Sequence, residues 1–264
     1  MTEPIMKRSK GDGIEIQLAV WEGSGRDVLC VHGITANCRC WDVVASALSP
    51  THRVIAMDLR GRGLSDKPDT GYSLEHHVRD ILALLDHLDI ERVVLMGDCL
   101  GAFIALAFAA EHPRRLDRLV LVDGAGKLSP DQFDKVFAGI KPALDRLGRV
   151  FPSAAAYVDT MKQAAYMQPW SPAIETYCRY EIEEAEGGVR CNIRPEHIAE
   201  EASNIRNEDP ATLYGRVECS TLILRATNGL LQDDDVLLPE PVVGRMVEEI
   251  PDAVRFDVEG TNHY

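Results

Sequence analysis

Gly97-Asp98-Cys99-Leu100-Gly101 separates a β-branched apolar run, Val93-Val94-Leu95-Met96, from a helix-forming stretch, Ala102 to Ala110. That order prescribes a strand, a tight turn and a helix, with one reactive side chain at the apex. Glycine on both sides has a steric reason: backbones approach too closely around such a turn to admit a Cβ. A helix that starts just after position 99 directs its free N–H groups and positive dipole end at the Cys99 sulfur. Cys99 therefore reads as a nucleophile. A cysteine that merely fills a core makes no demand for glycine two residues away on either side.

The rest of the chain repeats the pattern of strand and helix. Val28–Val31, Val54–Met57, Val93–Met96, Leu119–Val122 and Leu222–Leu224 are short, continuously apolar runs, the pattern of parallel strands buried on both faces. Ile14, Ile16, Leu18 and Val20 alternate with Glu15, Gln17 and Ala19, which suits an antiparallel edge strand. Between the runs, Leu74, Val78, Ile81, Leu82, Leu85 and Leu88 share one helical face, with Ser73 as N-cap. This alternation predicts an α/β protein with a doubly wound, mostly parallel central sheet and helices on both faces. It breaks after Val122. From Lys127 to Val217 the stretches Pro130–Leu147, Ser153–Met167, Pro172–Glu186 and Pro195–Asn207 read as helices, and the strand pattern resumes at Thr221. Residues 1–126 and 218–264 are thus expected to form the core, and 127–217 a helical cap insertion.

A formal net charge of −14 disfavours nucleic acid and anionic membrane surfaces as partners. No stretch approaches the roughly 18 apolar residues of a membrane span, and the first residues, MTEPIMKRSKGDG, contain no apolar signal region. A cytoplasmic protein is expected. Seven scattered cysteines, at 30, 38, 40, 99, 178, 191 and 219, are not a disulfide framework. Cys38 and Cys40 lack a second ligand pair at zinc spacing, so no metal is implied. No Gly-x-Gly-x-x-Gly follows the first buried strand, and no lysine-bearing phosphate loop occurs, so no cofactor is implied either.

Five landmarks in order resemble the α/β-hydrolase family over nearly the whole chain. They are His32-Gly33 after an early strand, Asp58-Leu59-Arg60-Gly61-Arg62-Gly63-Leu64-Ser65, the turn at Cys99, Leu119-Val120-Leu121-Val122-Asp123, and Gly260-Thr261-Asn262-His263. The resemblance implies that fold, with Cys99 where serine is commoner. It also implies His263 as the base, just after the last strand, and His32 as part of the oxyanion motif. The oxyanion hole would be the backbone N–H groups of Ile34 and Leu100. The six remaining histidines, 52, 76, 77, 87, 112 and 197, are expected to be solvated. For the acid, Asp123 at a strand end is preferred, with Asp233, Asp234 and Asp235 as the alternative. Asp98 raises a separate question. If it points at the sulfur it disfavours a thiolate; if it points away, a thiolate–imidazolium pair can form.

The function so implied is hydrolysis of a carboxylic ester, lactone or thioester through an acyl-enzyme on Cys99. Acyl transfer, carbon–carbon bond hydrolysis and non-catalytic ligand sensing remain alternatives. Tyr157, Met161, Tyr166, Met167, Trp170, Tyr177 and Tyr180 enrich the cap, and two or three of them are expected to face the cleft. They suit an apolar or aromatic acyl substrate. Arg179, Arg190 and Arg194 are candidates for meeting a substrate carboxylate.

Overall fold

A computed structural model describes residues 2–264. The chain begins with β1 (Ile5–Lys10), β2 (Glu15–Trp21), β3 (Asp27–Val31), α1 (Asp42–Leu48) and β4 (Arg53–Met57). It continues through α2 (Leu74–His87), β5 (Val93–Asp98), α3 (Leu100–Glu111) and β6 (Leu116–Val122). The inserted segment holds α4 (Pro130–Gly139), α5 (Lys141–Leu144), β7 (Val150–Phe151), α6 (Ala154–Gln163), α7 (Pro172–Tyr180), β8 (Ile182–Ala185), β9 (Gly188–Cys191) and α8 (Pro195–Asn207). Then β10 (Thr221–Ala226), α9 (Glu240–Glu249) and β11 (Ala253–Val258) complete the described chain.

Eight strands form one sheet in the order β1-β2-β4-β3-β5-β6-β10-β11. β1 and β2 pair antiparallel, as do β2 and β4, and every later pair is parallel. The apolar runs seen in the sequence supply β3, β4, β5, β6 and β10. Helix α3 is apolar around its whole circumference, and ten of its residues are buried. A helix of that kind belongs in the interior, and it seats the turn at Cys99 against the middle of the sheet.

The structure departs from the expected fold in three places. β2 is not an edge: it lies between β1 and β4, and all but its first residue are buried. Even Gln17 is enclosed, because the Ser65 hydroxyl accepts its N–H at 2.8 Å and its side chain donates to Lys7 O. Ser73 precedes α2 in extended conformation, but its hydroxyl pairs with His76 Nδ1 instead of capping the helix. The segment expected as a helical cap is not wholly helical. β7, β9 and β8 form a small antiparallel sheet, with Gly187 at positive φ in the tight turn between β8 and β9. Strands of two to four residues are too short to display a period, and Glu183 and Glu184 favour a helical reading. The helix expected over 130–147 also breaks at Gly139 and restarts ahead of Pro142, as a mid-helix proline requires. Ser129, Ser153 and Ser171 cap α4, α6 and α7, each accepting a backbone N–H of the first turn. Such caps contribute about 1 kcal/mol each.

Candidate active site

Cys99 occupies the turn from β5 to α3 at φ 53°, ψ −113°, a conformation that costs an L-residue on the order of 1–3 kcal/mol. The surrounding packing enforces it. The Cys99 N–H donates to Val122 O at 3.0 Å. A Cβ on Gly97 would meet Gly101 O at 2.0 Å, and one on Gly101 would meet Val31 O at 2.1 Å. Both glycines of the pentapeptide are therefore obligatory.

Asp123 follows β6 at φ 42°. Its N–H donates to Leu224 O at 2.8 Å, and its Oδ1 accepts the Ala226 N–H at 3.3 Å. The other oxygen, Oδ2, lies 2.8 Å from His263 Nδ1. His263 reaches this point from the loop after β11. Gly260 N–H donates to Thr227 Oγ1 at 2.9 Å, Asn228 N–H donates to Thr261 O at 2.9 Å, and the Tyr264 ring packs on Tyr166 of the cap. The imidazole thus has Asp123 on one side and shares a cavity with Cys99 on the other. Burial alone would lower its pKa. The neighbouring Cys99 sulfur, the hydrogen bond to Asp123 and the nearby Asp98 together outweigh burial and hold it well above the usual range.

Asp98 lines the same cavity as Cys99 and His263. Burial pushes its carboxyl up to about 6, against the His263 charge, and the nearby Asp123 adds to the rise. Gly33 is in van der Waals range of both groups: a Cβ there would lie 3.3 Å from Asp98 Oδ2 and 3.7 Å from Cys99 Sγ. Asp98 therefore faces the site. Ile34 and Leu100 flank the sulfur, and among the described residues no acceptor takes either backbone N–H. Next to them, the buried His32 ring accepts the Leu59 N–H at Nε2 and pairs with Gly33 O through Nδ1. Burial lowers its pKa to about 3, so the ring stays neutral and fixes the loop.

The other candidates lie elsewhere. Asp234 pairs with Lys135, and Asp235 accepts the Leu231 and Gln232 N–H groups of its own loop. None of Asp233, Asp234 and Asp235 lines the cavities at Cys99. Of the histidines expected in solvent, His77 and His197 are buried, His77 against Glu201 and His197 stacked on Tyr72. Both are enclosed where α8 meets α2 and the turn before it, a contact that neither helix read alone could show. Arg179 and Arg190 pair with Glu175 and Glu183, and neither they nor Arg194 reach the cavities.

Two cavities meet at Cys99. One, of about 470 Å³, has Asp98, His263 and Tyr264 at its base and Tyr166, Met167 and Tyr177 from the cap above. The second, of about 370 Å³, lies beyond Leu100 among Phe103, Val136, Leu237 and the stacked rings of Phe133 and Phe137. Arg146 also borders the first cavity, but Glu181 neutralises it. No pattern in the sequence marks Arg146 or the phenylalanines, because only the folded cap brings them to the sulfur.

The family model described as alpha/beta hydrolase fold matches residues 28–162, from β3 through most of α6. The chain belongs to the α/β-hydrolase fold family. An uncharacterized protein of Mycobacterium tuberculosis is 43% identical over 104 residues, 39% of this α/β-hydrolase chain and 30% of the relative. The chain thus spans under a third of that relative's length. The 2-(acetamidomethylene)succinate hydrolase of Mesorhizobium japonicum is 28% identical across 92% of this chain and 83% of its own. A crystal structure of E-2-(acetamidomethylene)succinate hydrolase superposes with a TM-score of 0.85 at 27% identity, covering 99% of this chain and 92% of that one.

Proposed function

We propose that this α/β-hydrolase cleaves a carboxylic ester, lactone or thioester through a covalent acyl-enzyme on Cys99. The observation that carries the reading is the position of the His263 ring, hydrogen-bonded to Asp123 and facing the cavity that holds Cys99. The Cys99 sulfur attacks the carbonyl carbon, and the π pair moves to oxygen, where the Ile34 and Leu100 N–H groups receive it. Each such donor is worth about 3 kcal/mol at the transition state. Collapse breaks the bond to the leaving group, which takes a proton from His263. Water then attacks the thioester, giving a proton to His263 as the C–S bond breaks and the thiolate returns. Asp123 orients the ring and stabilises its charge throughout.

His263 defines the direction of the substrate. The leaving group must lie on the imidazole side, in the cavity under Tyr166 and Tyr177. The acyl group then extends past Leu100 into the apolar chamber of Phe103, Phe133 and Phe137. A dicarboxylate such as the one that names the Mesorhizobium relative fits this site poorly. It would meet the Asp98 carboxyl, and Arg146 is already paired with Glu181. An uncharged, apolar acyl group is the better match.

Intact-protein mass spectrometry with nitrophenyl esters tests the proposal. A transient acyl adduct on Cys99, absent from Cys99→Ala, is the expected result, with one heavy oxygen in the released acid when the water is labelled. Equal ester turnover in Cys99→Ala would overturn it.

A further inference from the structure

Ile34 and Thr35 present two carbonyl groups just beyond the N–H assigned to the oxyanion hole, and each carbonyl is held by a buried guanidinium. Arg62 Nε donates to Ile34 O at 3.0 Å, and Arg146 Nη2 donates to Thr35 O at 2.8 Å. Both arginines are almost fully enclosed. Each is neutralised by a buried glutamate from the inserted segment: Glu201 of α8 for Arg62, and Glu181, after α7, for Arg146.

The two clamps reach the loop from different places. Arg62 belongs to the core, between β4 and α2, and its remaining donor Nη1 is taken by Arg60 O at 3.1 Å. Its glutamate comes from a helix fixed to the same region at several points. Glu200 accepts the Gly71 and Tyr72 N–H groups at 3.0 Å, Asn204 donates to Tyr72 O at 2.6 Å, and His197 stacks on Tyr72. Glu201 also pairs with His77 of α2. Arg146 is itself a cap residue, and Tyr177 of α7 adds its hydroxyl to the same Thr35 carbonyl at 3.3 Å. A buried guanidinium without its carboxylate is an uncompensated charge, so each clamp depends on the inserted segment being seated.

We propose that Arg62 and Arg146 are positioning residues that hold the Ile34 N–H in line for the oxyanion, with Glu201 and Glu181 making that geometry depend on the seated cap. The Ile34 N–H and C=O flank a single Cα. With the carbonyl fixed, only the dihedrals of that residue are free to turn the N–H, and the clamp on Thr35 O stiffens the next peptide as well. Oxyanion donors act through such preorganisation. This inference rests on the acyl-enzyme reading above.

Two reactions of the same sulfur separate positioning from mere structural support. Acylation by nitrophenyl acetate passes through an oxyanion, whereas alkylation by iodoacetamide displaces iodide at a saturated carbon and forms none. In Arg62→Lys, Glu201→Gln and Arg146→Lys, the acylation rate constant is expected to fall about 10- to 100-fold, with alkylation of Cys99 within twofold of wild type and KM little changed. Unchanged acylation in all three, or a parallel loss of acylation and alkylation, would overturn the inference. Glu201→Gln keeps the shape and an acceptor oxygen, so it reports even if an arginine variant does not accumulate. Absence of acylation in the wild-type protein would instead count against the acyl-enzyme itself.

Discussion

Asp123 Oδ2 and His263 Nδ1 lie 2.8 Å apart although 140 residues of chain separate them. The Asp123 carboxylate is enclosed, and its second oxygen is engaged by the Ala226 N–H. It can therefore turn neither away from the ring nor toward water. Such a partner selects the tautomer that leaves Nε2 free for the sulfur and stabilises the imidazolium once it forms.

Asp123→Asn is expected to lower kcat on nitrophenyl esters by roughly 10³- to 10⁴-fold, since the amide can offer the ring an N–H and invert the tautomer. Asp234→Asn removes only an exposed pair with Lys135 and should stay within twofold. Steady-state kinetics of the two variants side by side make the comparison. Full activity in Asp123→Asn would remove that residue from the mechanism.

Asp98 gives stability a pH dependence whose sign is opposite to that of a salt-bridged carboxylate. Its folded-state pKa is raised from 3.8 to about 6, so between those values the folded protein binds more protons than the unfolded one, and stability falls as pH rises. Asp98→Asn is permanently neutral. Its advantage over wild type in denaturant unfolding should be small at pH 4 and grow by about 1–3 kcal/mol by pH 7, the upper figure applying without screening by cavity water. A gap that stays constant or shrinks with pH would contradict a half-buried carboxyl with a raised pKa here.

The glycines of the molecule make contrasting predictions. In Gly101→Ala the new Cβ is driven toward the Val31 carbonyl oxygen, backbone that cannot step aside, and a loss of more than about 3 kcal/mol is expected. Gly244 sits within α9, and a Cβ added there would have no neighbouring atom within 4 Å, so Gly244→Ala should stabilise by about 0.5–1 kcal/mol. Thermal denaturation of both variants reads the difference directly.

Chain-length selectivity probes the orientation of the substrate. Val136 borders the chamber beyond Leu100 but not the cavity at His263. Val136→Trp should lower kcat/KM for octanoyl nitrophenyl ester at least about tenfold and leave the acetyl ester within threefold. Equal losses on both esters would place the acyl group in the other cavity.

What can be read from the sequence is whatever neighbours along the chain determine. The paired glycines around Cys99 and the continuous apolar runs of β3 to β6 express steric and packing demands confined to a few residues. These demands are enough to indicate the strand-to-helix turn and a mostly parallel sheet. Short strands such as β8 and β9 are not legible, since four residues carry too little period and two glutamates argue for helix. His77 and His197 read as solvated because their partners, Glu201 and Tyr72, are more than a hundred residues away along the chain and meet them only where α8 packs on the core.

By itself, then, the sequence determined the α/β architecture and the presence of a cysteine at a strained turn. Only the tertiary structure decided which carboxylate meets His263, that Asp98 lines the cavity at Cys99, and that glutamates of the inserted segment neutralise the arginines holding Ile34 and Thr35. Local sterics act through covalent neighbours and are written in order along the chain. Electrostatic and hydrogen-bond partners are selected by distance in space, and that distance exists only once the sheet and its cap have assembled.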